Sequence, residues 1–418
     1  MAYKDTSGKQ FSTRVISKQF SKKDVHGAII MPVYRNAAFE FPDSESIAMA
    51  FQNMEETPSH TYSRITNPTV ENLEIKIKAA SGANNVQMVA SGMAAISNTF
   101  FTIAYAGSNI ITSPHLFGNT FSFFKFTLAA FGVEVRFVDT DNIEEIAMAI
   151  DENTCAFFCE LITNPHLEVA DLPQISKLLK ARNIPMIVDT TVVTWCGFDA
   201  KAAGVDIEVV STTKYVSGGA TSIGGAILDY GTFDWQHNKR LQSAPKNDVM
   251  SQFSFKLKRE IARNIGSAMD PDTAYQQALG METLQLRFEK MSESAYQLAQ
   301  FLSEENQVKK VGYTKLETSP YKATSDKLFS GNPGAMLTFN LNSKDACYRF
   351  MDKLQIIRRA TNLFDNKTLI IHPESTIYGT FSPEMKEIMG IEDNLLRLSV
   401  GLEDVEDLKN DILQAFDN

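Results

Sequence analysis

The sequence of 418 residues has few of the residues that bind metal ions or form disulfide frameworks: four cysteines and six histidines. Cys155 and Cys159 lie in an apolar run, at a spacing unlike that of the common zinc pairs. The histidines form no cluster with them. We therefore interpret both cysteines as buried, reduced thiols and predict no metal site.

Long apolar runs and an excess of positive charge are also missing. No stretch is long enough to span a membrane, and residues 1–23 are polar without an apolar signal region. The net charge is −10, and no segment concentrates basic residues, which argues against nucleic acid as a partner. The sequence predicts a soluble cytoplasmic protein with neither a membrane nor a nucleic-acid partner.

The clearest chemical signal is the stretch 205–215, where a short apolar strand, 207–210, ends in hydroxyl residues and Lys214. A lysine beside anion-binding hydroxyls suits a Schiff base with pyridoxal 5'-phosphate (PLP). PLP also needs a carboxylate at its ring nitrogen, and the apolar strand 185–189 ends in Asp189. The separation of these two residues suits one crossover between parallel strands. From these segments alone, a solvated loop lysine and a helix-capping aspartate are an equally good interpretation.

Further motifs strengthen the PLP hypothesis. A Ser91-Gly92 turn that opens a helix exposes backbone N–H groups to a phosphate, and Arg397 in an apolar strand needs a partner such as a carboxylate. The motifs are MPVYRNAAFEF (31–41), TYSRITNPT (61–69), SGMAA (91–95), LFGNT (116–120), ELITNP (160–165), STTK (211–214) and LRLSVG (396–401). Together they resemble the PLP-dependent enzymes of cystathionine and methionine metabolism over nearly the whole chain.

The resemblance implies a role for each matching residue. Lys214 would form the Schiff base and act as the catalytic residue, and Arg397 would bind the α-carboxylate of an amino-acid substrate. Tyr62 and Arg64 would reach the PLP phosphate of a partner subunit. The residues implied to bind PLP are Tyr62, Arg64, Ser91, Gly92, Met93, Phe117, Asn164, Asp189, Ser211, Thr213 and Lys214. The residues implied to bind the substrate are Tyr62, Asn362 and Arg397.

The chain departs from the family at Phe117, where the family usually has a tyrosine. A phenyl ring can still stack on the PLP ring. The hydroxyl is lost, so another group, most simply Lys214, would have to move the protons.

Alternating strands and helices from residue 61 to about 265 predict an α/β fold. The resemblance implies the PLP-dependent transferase fold type I, with a mostly parallel, seven-stranded-type sheet and a smaller α/β C-terminal domain. We predict an N-terminal arm (1–60), a PLP-binding domain (61–265) and a C-terminal domain (266–418), with a long helix joining the two domains. The resemblance of the arm to that of the family implies a homo-oligomer, a dimer that shares active sites and assembles into a tetramer.

Residues 360–369 bear on the reaction. Asn362, Asp365 and Lys367 follow the sulfhydrylases of the family rather than its lyases, whereas Phe364 replaces a glycine and is expected to narrow the pocket. The resemblance therefore implies γ-replacement on O-acetylhomoserine by sulfide or a small thiol. The alternatives are a PLP-dependent γ-lyase acting on methionine or cystathionine, and a non-catalytic PLP-fold binding protein.

Overall fold

The computed structural model describes residues 8–17, 24, 26–52, 59–242 and 248–416. Parts of the predicted arm lie outside these residues. Among the described residues, no helix is both long and apolar enough to cross a membrane.

Seven strands form the larger of two sheets. They are β1 (Asn85–Val89), β2 (Asn109–Thr112), β3 (Glu134–Phe137), β4 (Thr154–Glu160), β5 (Met186–Asp189), β6 (Ile207–Val210) and β7 (Gly225–Asp229). Their order across the sheet is β1-β7-β6-β5-β4-β2-β3. Strand β7 runs antiparallel to β1 and β6, and the remaining pairs are parallel. The prediction of a mostly parallel sheet is confirmed.

The middle strands are buried on both faces, because apolar clusters cover the sheet on each side. Ile187 packs into one cluster, and Val188, the next residue of β5, packs into the other. Near-continuous apolar strands are typical of parallel sheets covered on both faces. Cys155 and Cys159 lie in β4 as buried free thiols, as predicted.

The register of the sheet brings several strand ends to one edge. Asp189 is the cross-strand partner of Glu160 in β4 and of Val209 in β6. Strand β6 ends shortly before Lys214. Ligands of open α/β sheets bind beyond the carboxyl ends of the strands. The predicted lysine and aspartate therefore follow adjacent strands at the edge where a ligand is expected.

Helices fill the connections and both ends of the chain. Within the described residues the α-helices are α1 (Phe11–Ser17), α2 (Ser44–Gln52), α3 (Pro68–Ser81), α4 (Gly92–Ile103), α5 (Gly118–Ser122), α6 (Ile143–Ala149), α7 (Leu172–Ala181), α8 (Gln252–Lys256), α9 (Ala262–Ile265), α10 (Pro271–Glu282), α11 (Leu284–Glu304), α12 (Lys322–Phe329), α13 (Lys344–Lys353), α14 (Pro383–Ile388) and α15 (Val405–Phe416). The segments Phe123–Leu128 and Leu257–Ile261 are π-helical continuations of α5 and α8.

The prediction of one long helix between the two domains is wrong. The chain leaves α9 at Gly266, whose φ of 74° is left-handed and suits a glycine after a helix. Asp270 then caps α10, which begins at Pro271, a residue favoured in the first turn of a helix. A further break at Thr283 separates α10 from α11.

A smaller sheet lies in the C-terminal part of the chain. Its strands are β8 (Lys310–Gly312), β9 (Met336–Asn340), β10 (Arg358–Arg359), β11 (Leu369–Ile371) and β12 (Leu395–Ser399), in the order β10-β11-β12-β9-β8. The central strand β12 is buried along its length and carries Arg397 between Thr338 and Ile371. This second sheet confirms the predicted fold class, while the domain boundaries stay a prediction.

Contacts next to Lys214 join the two sheets. The hydroxyl of Tyr215 accepts a hydrogen bond from the backbone N–H of Ala335 at 2.8 Å. Its ring stacks on Phe364, with centroids 4.3 Å apart. Phe364 is fully buried at a φ of 55°, a backbone conformation that favours glycine. The expectation that Phe364 narrows the pocket is wrong, because its ring packs on Tyr215 instead.

Candidate active site

A cavity of about 510 Å³ opens at the carboxyl edge of the larger sheet, and residues 361–363 and 397 of the C-terminal part close one side of it. Eleven residues of the predicted site line this cavity: Ser91, Gly92, Met93, Phe117, Asn164, Asp189, Ser211, Thr213, Lys214, Asn362 and Arg397. The remaining lining residues include Glu160, Asn119 and Thr191.

Lys214 and Asp189 face the cavity from adjacent strand ends. The Nζ atom of Lys214 donates to Oδ1 of Asn362 at 2.7 Å. Burial, and secondly the charge of Arg397, lower the pKa of Lys214 to about 8, against the attraction of Asp189. Burial raises the pKa of Asp189, although the backbone N–H of Thr191 donates to its carboxylate at 2.9 Å. Such a lysine is partly neutral near pH 7, and its charged form attracts the carboxylate of Asp189.

The N-terminus of α4 forms the opposite end of the cavity. Ser91 caps this helix by accepting a hydrogen bond from the N–H of Ala94 at 3.0 Å. A Cβ atom added to Gly92 would lie 2.7 Å from Cβ of Ser211, and one added to Gly225 would lie 2.1 Å from the carbonyl oxygen of Ser91. These glycines therefore allow the helix terminus, with its unpaired N–H groups, to approach the end of β6 closely.

The hydroxyl of Thr213, which was predicted to bind PLP, is engaged in hydrogen bonds within the chain. It donates to the carbonyl of Gly224 at 3.2 Å and accepts from the N–H of the same residue at 3.1 Å. It lines the cavity while pinning the turn before β7. The backbone N–H of Ser211 donates to the hydroxyl of Thr191 at 2.8 Å.

Arg397 enters the cavity from the C-terminal sheet with 2% of its surface exposed. Its Nη1 donates to Oδ1 of Asn164 at 3.0 Å, and its Nη2 donates to the carbonyl of Thr361 at 3.1 Å. Its buried Nε has no partner among the described residues. Burial lowers the pKa of the guanidinium to about 10. A buried cation with an unused donor suits a carboxylate ligand.

Glu160 is a cavity residue to which the sequence analysis gave no role. Its Oε1 accepts from the backbone N–H of Phe117 at 2.6 Å, and its Oε2 accepts from that of Asn164 at 3.2 Å. Burial, and secondly the charge of Asp189, raise its pKa to about 8. The sequence feature that could have identified Glu160 is the one that identified Asp189, a carboxylate at the end of a buried strand.

Tyr62 and Arg64 do not line this cavity. Tyr62 is 41% exposed, and the Arg64 guanidinium lies 5.5 Å from the centroid of its ring. Nη1 of Arg64 donates to the carbonyl of Arg263. Both residues were expected to serve a partner's site rather than their own, and that expectation stays a prediction.

The motif residues Asp365 and Lys367 also lie outside the cavity. They form an ion pair with each other at 3.1 Å. Of the three residues that follow the sulfhydrylase pattern, Asn362 alone lines the cavity.

These groups fit PLP. The cavity offers a lysine amine, a half-buried carboxylate at an adjacent strand end and a helix N-terminus for a phosphate. The partnerless Nε of Arg397 offers a site for a second anionic group.

Comparison with known proteins agrees with this fit. A family model described as Cys/Met metabolism PLP-dependent enzyme matches residues 12–417. O-acetyl-L-homoserine sulfhydrylase 1 of Thermus thermophilus is 37% identical, over 92% of this chain and 94% of its own. L-methionine gamma-lyase of Fusobacterium nucleatum subsp. nucleatum is 34% identical, over 94% of this chain and 95% of its own.

A solved structure extends the likeness to the fold. It is a putative O-acetylhomoserine (thiol)-lyase from Campylobacter jejuni with N'-pyridoxyl-lysine-5'-monophosphate. It is 32% identical, superposes with a TM-score of 0.92, and the match covers 97% of this chain and 99% of that one.

Proposed function

The chain belongs to the family of Cys/Met metabolism PLP-dependent enzymes, and from that premise we propose that it carries out γ-replacement on O-acetylhomoserine with sulfide or a small thiol. The products are acetate and homocysteine, or acetate and methionine when the thiol is methanethiol. The observation that carries the proposal is the convergence of Lys214, Asp189 and Arg397 on one cavity. These three groups suit an amino acid held at PLP.

When bound, PLP supplies an aldehyde for an amine and a ring that withdraws electrons from the substrate. Lys214 would provide the amine, and the carboxylate of Asp189 would hold a proton on the ring nitrogen. The ring of Phe117 would stack on the cofactor. Ser91, Gly92, Met93 and Ser211 would bind the phosphate, and Thr213, whose hydroxyl donates to Gly224, would fix the turn beside them.

Arg397 binds the α-carboxylate of the substrate, because its buried Nε is the unused donor of a planar fork. Its bond to Oδ1 of Asn164 leaves the Nδ2 group of that amide as a donor, which would serve the phenolic oxygen of PLP.

The Nζ atom of Lys214 takes the proton from the α-carbon of the substrate. Its lowered pKa supplies the neutral amine, and Oδ1 of Asn362 holds that amine at 2.7 Å. Phe117 has no hydroxyl to assist a leaving group. Acetate needs less help from an acid than a thiol does, so the missing hydroxyl favours an acylated substrate.

The second candidate is γ-elimination from methionine, which releases methanethiol, a keto acid and ammonia. The identity of 34% with a methionine γ-lyase supports it. The sulfhydrylase-like Asn362 beside Lys214 supports replacement instead.

A side-by-side assay tests the proposal. Purified protein with PLP is given O-acetylhomoserine plus sulfide, methionine alone, or cystathionine alone, and the products are quantified. We expect homocysteine to form faster than any keto acid. Faster keto-acid release from methionine or cystathionine would establish the lyase function instead.

The proposed assembly is a dimer that shares active sites, associated further into a tetramer in the cytoplasm. The exposed positions of Tyr62 and Arg64, away from the cavity of their own chain, support the idea that they complete the phosphate site of a partner subunit.

A further inference from the structure

We infer that Glu160 is a positioning residue. It holds the ring of Phe117 toward the cofactor, and through Asn164 it orients Arg397 toward the substrate. The inference rests on the proposed function, since it assigns these partners their roles at PLP and at the substrate. Glu160 itself is not assigned contact with either ligand.

The position of Glu160 allows it to join two loops. It is the last residue of β4 and is 6% exposed. Phe117 follows β2, the neighbouring strand, while Asn164 lies in the loop after β4 itself. Each carboxylate oxygen accepts one backbone N–H, from Phe117 at 2.6 Å and from Asn164 at 3.2 Å. One side chain thus fixes the backbone of both loops where they border the cavity.

The link continues from Asn164 to Arg397. The side-chain oxygen of Asn164 accepts from Nη1 of Arg397 at 3.0 Å. A displacement of the Asn164 backbone would therefore move the acceptor that orients the guanidinium. Phe117 needs no intermediate residue, because its own backbone N–H donates directly to Glu160.

The hydroxyl of Tyr378 ties the same two loops through their carbonyl groups. It lies 2.9 Å from the carbonyl of Asn164 and 3.3 Å from that of Leu116. Tyr378 can therefore keep the loops together when the Glu160 carboxylate is altered. A variant at Glu160 is expected to misplace side chains without separating the loops.

A carboxyl group suits this position and an amide does not, because both carboxyl oxygens can accept a hydrogen bond whether or not the group carries a proton. Both backbone groups are donors, so both oxygens must be acceptors. Glu160→Gln keeps the size of the side chain but turns one acceptor into an NH₂ donor. One of the two N–H groups then faces another donor in a buried site, where an unmade hydrogen bond is expensive.

Glu208→Gln is the matched control. Glu208 is also a buried strand carboxylate, with a pKa raised by burial. It does not line the cavity, and its oxygens accept from Tyr230 at 2.6 Å and from Trp195 at 3.1 Å. Its substitution reports the effect of disturbing a buried carboxylate on general stability.

The experiment measures the PLP dissociation constant by visible absorbance, KM and kcat for O-acetylhomoserine with sulfide, and the melting temperature. We expect Glu160→Gln to raise KM about tenfold, as for the loss of one buried hydrogen bond, and to raise the PLP dissociation constant by no more than about fivefold, the cost of losing the Phe117 ring. We expect kcat to change less than KM, because the residue positions a binding group. Glu208→Gln should lower the melting temperature and leave both constants unchanged.

Two further variants make the inference falsifiable. Glu160→Asp keeps both acceptor oxygens on a shorter side chain, so it should raise the PLP dissociation constant and KM by smaller factors. It takes the place of Glu160→Gln in the test if that variant does not fold. In an Asn164→Ala background, the effect of Glu160→Gln on KM should shrink, since the relay to Arg397 is already cut.

The inference is overturned if Glu160→Gln, or Glu160→Asp in its place, leaves the PLP dissociation constant and KM unchanged, or if Glu208→Gln changes them equally. A wild-type protein that binds PLP but forms no homocysteine would refute the proposed function instead. The PLP dissociation constants would then still test whether Glu160 positions Phe117.

Discussion

The cavity and the arm segment, which we define as residues 59–67 at the junction of the predicted arm and the predicted PLP-binding domain, hold predicted site residues in opposite surroundings. In the cavity, Arg397 is almost fully buried and is bonded to two residues from other parts of the chain. In the arm segment, Tyr62 and Arg64 are both exposed, and Arg64 donates to the backbone carbonyl of Arg263. The contrast suggests that the cavity is positioned by one chain, whereas the arm segment acquires its function from contact with a second.

The physical basis of the contrast is the number of constraints on each side chain. Cavity residues follow strands whose register is fixed by burial on both faces. The arm segment is anchored at its end, where Asn67 caps α3. The predictions below test the difference between the two regions.

Removing the amine of the cavity should have the largest effect. Lys214→Ala should abolish the visible band of lysine-bound PLP and lower kcat by about a thousandfold or more, as for loss of a general base. Absorbance spectra and steady-state rates measure both. Lys367→Ala, which removes a lysine outside the cavity, is the control and should leave the band in place. If Lys214→Ala keeps the wild-type spectrum, Lys214 is not the residue that binds PLP covalently.

Mixing two inactive variants tests whether the arm segment acts in another chain. Arg64→Ala and Lys214→Ala should each be inactive alone. After subunit exchange, about a quarter of wild-type activity should return, because half of the dimers are hybrids with one intact site each. Activity is measured after exchange has been verified by mass spectrometry of labelled subunits. Full exchange without recovery would place Arg64 in the site of its own chain.

Altering the guanidinium of Arg397 tests the cavity, the buried one of the two regions. Arg397→Lys keeps the charge but loses the planar fork, so KM for O-acetylhomoserine should rise roughly 10–100-fold. The PLP band should persist, since Arg397 is assigned to the substrate. Steady-state kinetics and absorbance measure the two effects. An unchanged KM would show that the α-carboxylate binds elsewhere.

The pH dependence of PLP capture tests the environment of Lys214. Its pKa is lowered to about 8, mainly by burial, and only the neutral amine attacks an aldehyde. In cofactor-free protein the capture rate should therefore fall about tenfold per pH unit below that value. Stopped-flow absorbance measures it. Arg397→Gln should move the midpoint upward, because it removes a positive charge that lowers the pKa. A midpoint near 10 in the wild type would mean an exposed lysine.

The smallest effect is expected at Phe117. Phe117→Ala should weaken PLP binding by about 1 kcal/mol, or roughly fivefold, through lost aromatic stacking. Phe117→Tyr is the matched control and should bind PLP as the wild type does. Fluorescence titration measures both. Equal affinity in the alanine variant would show that the ring does not cover the cofactor.

Local sequence was enough to predict the strand ends and their chemistry. The strands before Asp189 and Lys214 lie where the apolar runs placed them, because a buried parallel strand must be apolar on both faces. These features depend on interactions within a few residues and can therefore be read from pattern.

Tertiary structure decided which side chains meet. Glu160 and Asp189 follow the same local pattern, yet only the sheet register makes them neighbours. Phe364 was expected in the pocket, but its left-handed backbone turns its ring onto Tyr215. Motif spacing likewise could not separate Asn362, which reaches Lys214, from Lys367, which does not. The sequence by itself determined the elements and the reactive groups, whereas long-range packing determined their partners, because contacts between distant residues depend on the whole fold.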